Sequence, residues 1–220
     1  MIRINKGDIP PILAANAVAW RDQLLGYLAA RQSVPTTLAT AYNHLEIKNA
    51  LRNEARRKCM YCEGVVEDVA YEHIEHLRPK APTKFPELTY EWGNLGLACP
   101  ACNVSKGDDF DDNCAHIDPY NEDPADFFQG FGPMVFPRLG NARAELTAES
   151  VKLNRPGLME QRAERLKGIQ LLMRTYIAEA NPAMKAIWKR RILEEIDQDR
   201  EFSFCLREFV VAQLGIAFLN

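Results

Sequence analysis

Apolar residues recur at helical spacing over residues 12–30, where Leu13, Ala17, Trp20, Leu24 and Leu28 share one side. Pro10 and Pro11 precede this run, and Ser33, Val34 and Pro35 break it. The period returns over residues 37–58 with Leu38, Tyr42, Leu45 and Leu51, and Thr36 or Thr37 is placed to cap that helix. Beyond it the pattern shortens. Residues 65–77 and 95–98 read as the strands of a hairpin, and Pro79, Pro82 and Pro86 make residues 78–91 a loop. Pro100 suits the first turn of a helix that Gly107 ends. Residues 108–124 are acidic and turn-rich. Residues 127–137, rich in phenylalanine, read as a short strand pair or packed loop that clamps the central segment to the helices. Helical spacing resumes over 158–180, 183–197 and 202–218, with Asn181-Pro182 as a break. The pattern predicts an α+β fold, mainly α, with an N-terminal helical segment (1–57), a central module (58–115), and a loop-rich connector followed by a C-terminal helical bundle (116–220).

Composition bounds what this fold does. A chain of 220 residues with 47% hydrophobic content has the material for a real core. The net charge of −3 excludes a global basic field for nucleic acid, so any such surface is local or belongs to a partner. Lys48, Arg52, Arg56, Arg57 and Lys58 make one local basic run, read either as cations at a helix C-terminus or as phosphate contacts. No apolar run approaches a membrane span and the first residues do not form a leader, which predicts a cytoplasmic chain with no membrane partner.

The cysteines add chemistry. Cys59/Cys62 and Cys99/Cys102 form two CxxC pairs, the spacing of a closed, tetrahedral, structural zinc site. Cys114 and Cys205 are left over, and Cys205 reads as a buried free thiol. A plain zinc ribbon needs only turns between the pairs. Here the insert holds Glu75 beside His76, with Asn94 and Asn103 further on. Such a set suits a divalent cation on oxygen ligands and leaves an imidazole to activate water. Asn103 and Lys106 lie three apart, hence on one helix face; Lys106 either reaches a phosphate oxygen or pairs with Asp108 or Asp109. Lys80 and Lys84 are loop cations that serve as phosphate contacts or are simply solvated. His116 reads as a solvent-exposed loop histidine outside the site.

Glu75-His76-Leu77-Arg78-Pro79, Asn94-Leu95 and Cys102-Asn103-Val104-Ser105-Lys106 together resemble the HNH nuclease motif of the ββα-metal type. The resemblance implies a zinc-braced ββα-metal finger flanked by helices. It implies His76 as general base, Asn94 as the residue that holds the loop and orients the His76 backbone or ring, and Asn103 with Glu75 as ligands of a catalytic Mg2+ or Mn2+. Glu75 stands where Asp is commoner, and Asn103 where many relatives have His. On a regular strand Glu75 shares a face with His73 rather than His76, so a bend near Pro79 is needed to unite the pair. His73 itself is a second-sphere residue, a substitute ligand or, as favoured here, a hairpin-surface histidine.

Further matches are similar to the HNH subunit of Septu-type anti-phage systems, found alone or with retrons. They include Tyr61-Cys62-Glu63, Tyr90-Glu91-Trp92, Lys106-Gly107-Asp108, Ile117-Asp118-Pro119 and Val151-Lys152-Leu153-Asn154-Arg155. The last segment has no evident chemistry. This resemblance implies an endonuclease acting on DNA by preference, or RNA, as the effector beside an ATPase subunit. Phe209, Val210, Leu214 and Phe218 either pack the C-terminal bundle, the reading favoured for most of them, or dock to another subunit. The competing reading keeps the cysteines alone: a non-catalytic zinc-ribbon binding or interaction module.

Overall fold

The structure is a computed structural model that describes residues 1–66 and 72–219. Helix α1 spans Pro11–Ala29, with a proline in its first turn where the missing N–H costs nothing. The helix expected over 37–58 is shorter and divided. Thr36–Ala39 forms α2, a 3-10 turn covers Ala41–Asn43, and α3 runs over Leu45–Glu54. His44 causes the second start, because its Nδ1 accepts from the backbone N–H of Glu46 as a cap. Neither Thr36 nor Thr37 caps α2; Pro35 precedes it with no side-chain cap bond. Arg56 and Arg57 both take positive φ, which turns the chain out of α3 and into the first cysteine pair.

Strand β1 covers His73–His76 and pairs antiparallel with β2, Leu95–Ala98, with Glu75 opposite Gly96 and His76 opposite Leu95. The expected first strand was longer; part of it lies at residues 67–71, outside the described residues. Met60 N–H donates to the Leu97 carbonyl and fastens the first knuckle to β2. Gly96 leaves room for the Met60 side chain, since a Cβ there would stand 2.4 Å from Met60 Sδ and displace it. Helix α4, Pro100–Lys106, follows directly and ends at Gly107, whose φ is +59°.

Strands β3 (Phe128–Phe131) and β4 (Met134–Pro137) form a second hairpin, the strand pair rather than the packed loop of the two readings of the phenylalanine-rich run. Phe128 is buried, but Phe131 is 77% exposed at the hairpin end and so clamps nothing. Helix α5 covers Ala142–Ser150, where the sequence pattern predicts no element; Asn141 caps it by accepting from the Ala144 N–H. Helices α6 (Pro156–Ala178), α7 (Pro182–Glu195) and α8 (Ser203–Leu214) complete the chain and match the predicted C-terminal bundle.

Two apolar cores hold these elements. The larger runs from Met1 through the hairpin and both cysteine pairs to Phe204 and Cys205. The smaller joins Leu166, Ile169 and Met173 of α6 to Ile192 of α7 and to Leu206 and Val210 of α8. The whole is mainly helical with small two-stranded sheets, a zinc-finger-like ββα unit at its centre. Among the described residues, no helix is long and apolar enough to cross a membrane.

Candidate active site and metal centre

The two CxxC turns meet. Their four sulfurs lie within 4.8 Å of one another, three cysteines fully buried and Cys99 partly so. The Cys62 and Cys99 sulfurs are 3.8 Å apart. Sulfurs about 2.3 Å from a tetrahedral zinc ion are separated by roughly 3.8 Å, so the donor set fits zinc in identity and spacing.

The hairpin and α4 enclose a pocket of about 370 Å³ lined by Tyr42, Glu75, His76, Lys80, Asn103 and Asp108, among others. Glu75, His76 and Asn103 thus line the same pocket, although Glu75 and His76 are neighbours on a strand. His76 is the last residue of β1, where the chain turns toward Pro79. Its Nε2 lies 3.1 Å from the Thr89 carbonyl and its ring meets Tyr42 edge-on at 4.7 Å. A carbonyl only accepts, so Nε2 carries the proton and Nδ1 keeps the lone pair. Burial pushes the His76 pKa down to about 3, with Lys80 and Lys106 adding to the effect against the Thr89 bond. The imidazole is neutral at physiological pH.

Glu75 is 1% exposed. Its Oε1 sits 2.7 Å from the Lys106 ammonium and 3.4 Å from the Tyr61 hydroxyl. Its Oε2 is buried with no hydrogen-bond partner among the described residues. Burial raises its pKa, and Lys106 and Tyr61 oppose that rise. Lys106 therefore faces inward. It also donates to the His76 carbonyl at 3.2 Å, and it pairs with neither Asp108 nor Asp109. It is fully buried, so the expected reach to a phosphate gives way to a bond that offsets the buried carboxylate.

Asn103 does not stand alone. Its amide lies 2.8 Å from His73 Nδ1, so the half-buried His73 is tied to Asn103 rather than free on the hairpin surface. With Nδ2 donating there, Asn103 Oδ1 is the atom left for a cation. Asn94 lies outside the pocket. Its Oδ1 accepts from the Arg78 N–H at 2.8 Å, and its Nδ2 donates to the carbonyls of Arg78 at 2.9 Å and Leu88 at 3.1 Å. It bonds the loop backbone two residues beyond His76 rather than the imidazole.

Among the described residues, no second group of three His, Cys, Asp or Glu side chains converges. A cation here would rest on Glu75 and Asn103 plus water and substrate, a donor set of hard oxygens that suits Mg2+ or Mn2+. The orphaned Glu75 oxygen fits such an ion.

The basic run beside the knuckle is engaged internally. Lys48 and Arg52 pair with Glu72, Arg56 with Asp199, and buried Lys58 with Glu63 and two backbone carbonyls. His116, expected at the surface, is buried at 5% exposure because Arg143 and Thr147 of α5 bind the adjacent backbone. Its burial lowers its pKa to about 4. It lines a separate cavity behind Asn94 with Phe110 and Arg143. Sequence reasoning also missed Tyr42, which meets the His76 ring edge-on from a helix break. It missed Arg155, which lies against the cysteines.

Residues 59–109 match the model of the family described as HNH endonuclease. The chain is 29% identical over 161 residues to a Septu protein PtuB of Bacillus mycoides, covering 60% of this chain and 54% of that relative. It is 40% identical over 62 residues to a Septu protein PtuB of Bacillus thuringiensis, covering 28% of this chain and 23% of that one. The chain thus spans about half the length of the first relative and less of the second.

Proposed function

We propose, from the premise that residues 59–109 are an HNH endonuclease domain, that the chain is a metal-dependent endonuclease hydrolysing phosphodiester bonds. DNA is the favoured substrate and RNA the second. The observation that carries the reading is one pocket lined by Glu75, His76 and Asn103, with an imidazole fixed by a carbonyl and a carboxylate oxygen that has no hydrogen-bond partner among the described residues.

Glu75 Oε2 and Asn103 Oδ1 would hold Mg2+ or Mn2+, which supplies Lewis-acid polarisation of the scissile phosphate. His76 accepts the proton of the attacking water at Nδ1, since Nε2 is committed to Thr89. Its low pKa keeps it unprotonated and ready across the neutral range. Tyr42 and Thr89 fix the ring plane, and the Lys106 bond fixes Glu75. Lys80, on the pocket wall, is the cation that meets the phosphate in place of buried Lys106. The four cysteines would hold a structural zinc that ties the chain before β1 to the start of α4 at the open end of the hairpin.

The similarity to Septu protein PtuB extends this to the effector subunit of an anti-phage system working in the cytoplasm beside an ATPase. The net charge of −3 and the internal pairing of the basic run favour a partner that presents the nucleic acid.

The test is cleavage of DNA and RNA, single- and double-stranded, with Mg2+ or Mn2+, with and without the partner ATPase. Cation-dependent cleavage is expected. No cleavage of any substrate under all these conditions would leave only the binding-module reading.

A further inference from the structure

The segment Val151 to Arg155 has no role in the pocket, yet its last residue lies against the metal centre. Arg155 Nη1 is 3.4 Å from Cys102 Sγ, and Nη2 is 3.7 Å from Cys99 Sγ and 3.8 Å from Cys62 Sγ. Nη1 also lies 3.5 Å from the Val151 carbonyl and 3.4 Å from that of Lys152. One guanidinium thus spans three of the four sulfurs, from both knuckles at once.

The electrostatics explain why. Four thiolates around one divalent ion carry two net negative charges. Taking that charge into a largely buried site is unfavourable unless it is offset. The guanidinium offsets half of it and donates N–H to sulfur lone pairs. Its planar fork, unlike an ammonium, reaches sulfurs on both knuckles together.

Its backbone is fixed as well. Arg155 precedes α6 and its carbonyl accepts from Leu158 and Met159 N–H groups. Asn154, beside it, accepts from Val135 N–H and donates to Val135 O, which pins β4 to the same segment. Buried Arg162, two turns into α6, donates to the Leu153 carbonyl.

We propose that Arg155 is a positioning residue that neutralises and clasps the four-thiolate centre, fastening α6 and the β3–β4 hairpin to the knuckles. The inference rests on the reading of these cysteines as a zinc site.

The experiment uses the full chain, wild type and Arg155→Gln. Metal analysis establishes one zinc per wild-type chain, and two readings follow: zinc release to a chromogenic chelator, and the absorption of the cobalt-substituted protein. Loss of a partner in the second coordination sphere typically weakens retention about 10- to 100-fold, and Arg155→Gln should release zinc faster on that scale. Thiolates deprived of N–H donors are stronger electron donors, so the sulfur-to-cobalt band should move to longer wavelength. An unchanged release rate with an unchanged band overturns the inference. Wild type without zinc would instead remove the premise. If Arg155→Gln gives no folded protein, Arg155→Lys decides: it keeps the charge without the fork, so its band should still shift, and a wild-type band overturns the inference.

Discussion

Asn94 provides a sharp test of how the site is built. Its side chain makes three hydrogen bonds, two to Arg78 and one to the Leu88 carbonyl. Arg78 lies two residues after His76, and Leu88 immediately precedes Thr89, whose carbonyl holds the His76 ring. One amide therefore ties together both segments that aim the imidazole. Each bond contributes about 1 kcal/mol net, so Asn94→Ala should lose about 3 kcal/mol in urea unfolding. Asn94→Asp keeps only the acceptor to Arg78 N–H and sets a carboxylate against two carbonyls, so it should lose more. The functional signature differs from that of a catalytic group. Asn94→Ala should depress kcat more than KM, because substrate contacts persist while the ring loses its aim. Zinc content should stay at the wild-type level. Unfolding within about 0.5 kcal/mol of wild type, with wild-type kcat, would refute the bracing role.

Other consequences are as direct. Lys106→Met should destabilise by about 3–5 kcal/mol by stranding the Glu75 carboxylate, and adding Glu75→Gln should recover part of that loss in a double-mutant cycle; strict additivity would contradict the pairing. Cys59→Ser should abolish zinc binding and unfold the finger, read by metal analysis and circular dichroism; a folded, active variant would show that the ion is dispensable. Glu122 is held by Arg143 in two 2.8 Å bonds; despite burial, which opposes it, that partner lowers the Glu122 pKa below 4.5. A depressed folded-state pKa adds stability above the unfolded pKa and loses it as pH falls through the folded one. Glu122→Gln should therefore flatten the acid limb of the unfolding curve below about pH 4.5, and parallel curves for both proteins would contradict the pairing.

The parts legible in the sequence are those fixed by local rules. Two CxxC spacings gave the four-cysteine centre, proline and glycine gave the limits of α4, and apolar periodicity gave the C-terminal helices. The acid–histidine pair and its proline pointed to the pocket. What escaped depends on contacts far apart in the chain. Lys106 turns inward only because Glu75, thirty-one residues earlier, is buried beneath it. Arg155 reaches sulfurs 53 to 93 residues away, and no spacing announces that. His116 sits in a polar, turn-rich run, so its burial becomes visible only once α5 binds its backbone. The 37–58 helix divides for a local reason: His44 caps a new start within an apolar period that runs on through it.

His76 is, on the proposed function, the base of a nuclease site. Single-turnover cleavage of a nucleic-acid substrate by wild type and by His76→Gln, both checked for zinc content and fold, measures it most directly. Removing a general base costs about a hundred- to ten-thousand-fold in rate, and a loss on that scale with zinc retained is the predicted result. Cleavage by the variant at the wild-type rate would contradict it.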